Sequence, residues 1–137
     1  MAEMRLSVKH TGDGHHITCE NEAGGKMAFD GGDGAWAPTP MQHLLAAAGA
    51  CALMDVEVIL RKKRLAFRDL RVECVGQREK RGEVNPFTSM RLVFRVEGDV
   101  PAKAFEDAVR LSVEKYCSVG ATIEKGVPIA HEAHVGA

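Results

Sequence analysis

An α+β fold is predicted by three features of the 137-residue sequence: short alternating apolar runs near its start, one long apolar helix with a well-marked beginning, and a pair of long strand-like segments ahead of a second, amphipathic helix. The order strands, helix, strands, helix, strand lacks strict strand–helix alternation. An antiparallel sheet with helices packed on one side is therefore expected, in a single domain over 1–137.

Met4, Leu6 and Val8 alternate with polar residues, the turn formers Thr11 to Gly14 follow, and His15 to Glu20 makes a second short run, so a hairpin opens the chain. After a turn at Ala23 to Gly25, Lys26 to Asp30 adds a third strand before the loose glycine-rich stretch at 31–38. The first helix is predicted over about Pro40 to Lys62. Thr39 caps it, Pro40 suits its first turn, and Gln42 sits where a capping-box partner belongs. From Leu44 to Met54 the only polar side-chain group is the thiol of Cys51, so the helix is expected to be buried nearly all round. One sheet covers one side of such a helix in so small a chain, which leaves another side for a second copy and predicts a dimer. The small residues Ala46 to Ala50 invite close approach of another backbone, and the basic run Arg61 to Arg64 suits the negative end of the helix dipole.

Asp69 to Arg78 and Phe87 to Val96 are expected to pair antiparallel across the charged Glu79 to Asn85 loop and Pro86. Asp99 and Pro101 open a second helix whose Phe105, Val109, Val113 and Tyr116 share one core-facing stripe. A short helical piece at Ser118 to Glu124 and a closing strand at Val127 to Val135 complete the chain.

Eighteen Lys+Arg against nineteen Asp+Glu leave a net charge of -1, which excludes a protein built to neutralise many phosphates; no nucleic-acid partner is expected. No run reaches the ~18 consecutive apolar residues of a membrane span, and the first ten residues lack the apolar core of a secretory signal, so no membrane partner and a cytoplasmic location are expected. The four cysteines, at 19, 51, 74 and 117, form no C-x-x-C pair.

Chemistry then rests on single residues. A thiol among alanines, as at Cys51, is either an inert core group or, beside a cation or hydrogen-bond donor, a nucleophilic thiolate. Asp55, one turn on, opposes that thiolate if ionised, and His43 lies two turns back, too far to touch the sulfur. Cys117 sits between Lys115 and Ser118 at a junction of helices, where a helix N-terminus and a lysine favour the thiolate, so it reads as the more polar thiol. Cys19 and Cys74 lie on strands and read as structural. His15, His16, His131 and His134 lack metal-site spacing, so no metal is expected, and Gly31, Gly32 and Gly34 lack the pattern of a phosphate cradle.

The run Pro38-Thr39-Pro40-Met41-Gln42-His43-Leu44-Leu45-Ala46-Ala47-Ala48-Gly49-Ala50-Cys51, with Glu114-Lys115-Tyr116-Cys117-Ser118-Val119 further on, resembles the OsmC/Ohr family of osmotically inducible and organic hydroperoxide resistance proteins. The resemblance extends over nearly the whole chain. It implies an OsmC-like fold with a buried central cysteine-bearing helix, an intertwined homodimer with active sites at the subunit interface, and thiol peroxidase chemistry without a cofactor. It also implies Cys51 as the peroxidatic cysteine, Cys117 as the resolving cysteine, and a peroxide substrate and an external thiol reductant as the partners. The arginine–glutamate pair of active family members has no counterpart: Met41 and Gln42 occupy the glutamate region, and no arginine occurs between Arg5 and Arg61. Lys26 and the Arg78 to Arg81 loop are the substitute cations to consider. The alternative reading is a non-catalytic module of the same fold that binds a small molecule or lipid.

Overall fold

The computed structural model describes residues 2–137, which divide between Leu44 and Leu45 into two compact units. In the first unit β1 (Leu6–His10), β2 (His16–Asn21) and β3 (Lys26–Asp30) form an antiparallel meander in which Val8 faces Cys19 and Cys19 faces Met27. The following loop is organised by Asp30, whose carboxylate accepts from the Gly32 N–H at 2.7 Å and the Trp36 N–H at 3.2 Å. These two backbone donors hold its carboxyl below the usual carboxylate range.

Helix α1 (Pro40–Lys62) begins as its sequence dictates. The Thr39 N–H donates to Gln42 Oε1 at 2.9 Å and the Gln42 N–H to Thr39 Oγ1 at 3.2 Å, a reciprocal capping box that satisfies two otherwise orphaned donors. The helix stops at Arg64, which takes the left-handed conformation (φ 57°), while the Leu65 N–H reaches back to the Leu60 carbonyl at 3.0 Å.

The second unit holds a sheet ordered β4–β5–β6, formed by β4 (Phe67–Arg78), β5 (Phe87–Gly98) and β6 (Ile129–Gly136). β4 and β5 pair antiparallel as expected, whereas β6 runs parallel to β5, so the strands form two three-stranded sheets and the second is mixed. The reason is the connection: α2 (Ala102–Leu111), a π-helical turn (Ser112–Tyr116) and α3 (Ser118–Ile123) return the chain to the strand's starting end before β6 begins. The core joins Ala52, Val56 and Leu60 of α1 to Leu92, Phe94 and Val96 of β5 and to Phe105, Ala108 and Val109 of α2. Burying a side chain such as Leu60 or Phe94 contributes roughly 1.5–3 kcal/mol.

One expectation holds within the chain and one changes. The buried residues of α1 are Ala48, Gly49, Ala52, Val56 and Leu60, the one side a single chain was expected to cover, while Met54 and Val58 remain 66% and 48% exposed. A single chain supplies cover for one helix face only. The close approach at the small-residue stretch is made by a sulfur and not a backbone: a Cβ at Gly49 would lie 2.3 Å from Cys74 Sγ.

Candidate active site

Residues four apart on a helix share a face, so α1 carries Cys51 and Asp55 one above the other. Cys117 reaches the same place from the other side of the core by way of the π-helical turn. Its N–H donates to the Ser112 carbonyl at 2.9 Å, five residues back instead of four. The extra residue in that turn rotates everything after it. Tyr116, expected on the core-facing stripe, is consequently 51% exposed, and Cys117 is turned inward to 6% exposure.

Two further bonds fix the arrangement. Cys117 is the N-cap of α3, its Sγ accepting from the Gly120 N–H at 3.2 Å. Fully buried Ser112 donates its hydroxyl to the Ala52 carbonyl at 2.7 Å, so one residue holds both the segment leading to Cys117 and the carbonyl next to Cys51. No spacing signal in the sequence marks Ser112, because its partner lies sixty residues away.

Cys51 and Cys117 are both free, both belong to the same packed cluster, and act on each other through side-chain contact and charge. Burial pushes the Cys117 thiol up to about 11; the Gly120 N–H pulls the other way, and Cys51 and Asp55 raise it further. This corrects the expectation that Cys117 is the polar, activated thiol. Lys115 stands instead over the ring of Tyr116, 5.4 Å from its centroid, and the six-residue α3 supplies a cap hydrogen bond in place of a compensating cation. Asp55 is the third member of the cluster. Its Oδ2 is buried without a hydrogen-bond partner among the described residues, and burial raises its carboxyl above the ordinary value.

A cavity of about 20 Å³ lies against Cys117, walled by Ala48, Ala52, Leu92, Val113 and Ile129 with Glu124 as its one charged neighbour. It admits a group the size of a water molecule. Of the remaining candidates, Cys19 is buried on β2, while Cys74 packs against Gly49 and the same core cluster, where burial raises its thiol. His43 donates from Nε2 to the Ala28 carbonyl at 2.7 Å, and His134 faces Glu132 at 3.8 Å. Among the described residues no three His, Cys, Asp or Glu side chains converge as a metal site.

A family model described as OsmC-like protein matches residues 31–132, a span that holds α1 and both cysteines. The chain belongs to the OsmC-like family. Within it, Protein YhfA of Escherichia coli (strain K12) is similar at 40% identity over 117 residues, covering 85% of this chain and 87% of that protein. A hypothetical protein from Aquifex aeolicus VF5 has the same OsmC-like fold at TM-score 0.86 and 26% identity, with 99% of this chain and 98% of that one covered. An organic hydroperoxide resistance protein OsmC from Legionella pneumophila superposes at TM-score 0.70 over the full length of both chains (100% each), and at 17% identity that likeness concerns the fold alone.

Proposed function

We propose that the chain is a thiol-dependent peroxide reductase acting on organic hydroperoxides or hydrogen peroxide, with Cys51 as nucleophile and Cys117 as resolving thiol. One observation carries the reading: two free thiols sixty-six residues apart in sequence meet in one secluded cluster. The Cys51 thiolate attacks the terminal peroxide oxygen, the O–O bond breaks, and an alcohol or water leaves a sulfenic acid on Cys51. Cys117 then displaces that hydroxyl as water, forming the Cys51–Cys117 disulfide, and an external thiol or dithiol restores both thiols. Because burial keeps Cys117 protonated at neutral pH, it does not compete with Cys51 for peroxide. No resident cofactor takes part in this scheme. Four free cysteines suit a reducing cytoplasm, and the uncovered stripe of α1 suits a homodimer.

The test exposes reduced protein to cumene hydroperoxide or hydrogen peroxide and maps disulfides by mass spectrometry. A Cys51–Cys117 bond is expected; Cys51→Ser abolishes peroxide consumption, and Cys117→Ser leaves a sulfenic acid that dimedone traps. Protein that ignores peroxide and carries a small molecule or lipid in native mass spectrometry is the non-catalytic module instead, the reading favoured by the missing arginine–glutamate pair.

A further inference from the structure

With no arginine between Arg5 and Arg61 to serve as the activating cation, a thiolate at Cys51 needs another means of tolerating charge, and a peroxide leaving as alkoxide needs a proton. We infer that Asp55 is a catalytic residue of this reaction, taking the Cys51 thiol proton and passing it to the alkoxide that departs from the hydroperoxide. The inference rests on the peroxide-reductase reading above and names the group that reading leaves unassigned.

The geometry singles out this carboxyl. Asp55 follows Cys51 by one helical turn, on the same face, with Cβ atoms about 5–6 Å apart as helix geometry requires. Its Oδ2 is buried and engages no donor among the described residues, so no hydrogen bond competes for a proton exchanged with Cys51 one turn back. The charge of its carboxyl also acts on Cys117. Cys51 and Asp55 both act on Cys117, and Glu124 lines the cavity against it.

The proton transfer gives Cys51 a route to the thiolate that needs no cation. When Cys51–SH and the Asp55 carboxylate become a thiolate and a carboxylic acid, the site keeps a single negative charge throughout. A low-dielectric site penalises creating net charge far more than moving it. Burial of the carboxyl favours its protonated form and so supports the direction of transfer. In the next step the thiolate forms an S–O bond with the terminal oxygen of ROOH and the O–O bond breaks. The RO⁻ fragment takes the Asp55 proton, leaving Cys51–SOH, ROH and an ionised Asp55. Sulfur loses two electrons, the peroxide gains them, and the proton lent by sulfur ends on the alcohol.

A general acid matters only where the leaving group is a strong base, which gives the experiment its contrast. Cumene hydroperoxide releases an alkoxide; peracetic acid releases acetate, a weak base comparable to an aspartate side chain. Second-order rates of Cys51 oxidation by both reagents are measured for wild type and Asp55→Asn, and the cumene-to-peracid ratio is compared. Loss of folded protein cancels in that ratio. The ratio is expected to fall about 100-fold or more in the variant, within the range of general acid catalysis. An unchanged or increased ratio overturns the inference. A second measurement needs no variant: wild type is expected to oxidise at nearly equal rates with alkyl hydroperoxides of graded leaving-group basicity, and a steep dependence overturns the role. Wild-type Cys51 that reacts with neither reagent defeats the peroxide-reductase reading itself, an outcome distinct from both.

Discussion

Gly49 has no room for a methyl group. A Cβ there would stand 2.3 Å from Cys74 Sγ and 3.3 Å from Val72 Cγ1, so Gly49→Ala must displace the Cys74 sulfur. A loss of about 1–3 kcal/mol is expected from such overpacking, and Cys74→Ala in the same chain should restore most of it. Urea unfolding of the two single variants and the double variant checks this, and a double variant no more stable than Gly49→Ala alone would sink it. Cys117 supplies the pH dependence at this scale. Its folded pKa is about 11 against an ordinary value of 9.0, so the folded state prefers the neutral thiol. Its contribution is fully present below pH 9.0 and lost as pH rises towards about 11. Melting temperatures of reduced wild type should therefore drop over that window more steeply than those of Cys117→Ser. At this scale the sequence revealed its own local contacts, such as the Thr39–Gln42 box. It could not reveal that Gly49 makes room for Cys74, because the two lie on separate elements joined only by the fold.

The π-helical turn is where element-level reasoning from the sequence breaks down and where the site is made. Phe105 and Val109 obey the expected helical stripe and are fully buried, but the stripe assumes a constant number of residues per turn. The five-residue bond between Ser112 and Cys117 adds one residue, exposes Tyr116 and delivers Cys117 to Cys51. No periodicity in the sequence announces such an insertion, since its stabilising partners are the Ala52 carbonyl and the core. The parallel direction of β6 was hidden for a similar reason: it follows from the helical crossover and not from the strand's own residues. Ser112 should then govern how well the thiols meet. Ser112→Ala removes one buried hydrogen bond, about 1 kcal/mol of stability, while the Ala52 carbonyl keeps its place in the helix ladder. Forming the Cys51–Cys117 disulfide with diamide, whose azo bond takes up both electrons and both protons, avoids any dependence on peroxide chemistry. Equilibration of that disulfide with dithiothreitol is expected to show the bond about tenfold less favoured in the variant, a shift of about 30 mV. Equal potentials would show that Ser112 supports the fold without registering the thiols.

For the molecule as a whole, α1 poses a covering problem. Its most apolar eighteen-residue window has a mean hydropathy of 1.7, long and apolar enough for a bilayer, yet only 28% of that window is buried. Ala52, Val56 and Leu60 commit one face to the core, so the helix cannot enter a bilayer without dismantling the sheet it packs on. Ala47, Ala50, Met54 and Val58, spaced by three and four residues, make a second stripe open to water on the other side. A second copy would present the same stripe and bury both at once, the self-complementary contact expected of a two-fold dimer. That one chain leaves part of this helix uncovered was legible from Leu44 to Met54, because a run with no polar side chain needs cover on more sides than one small chain provides. Sedimentation equilibrium is therefore expected to return twice the 14.8 kDa chain mass. Covering a side chain such as Met54 or Val58 contributes about 1.5–3 kcal/mol, so Met54→Glu with Val58→Glu should shift the equilibrium to monomers at micromolar concentration while circular dichroism stays that of the folded chain. Wild type that sediments as a single chain would remove the dimer from the proposal and leave the stripe to be explained otherwise. A double variant that remains dimeric would move the interface elsewhere on the surface.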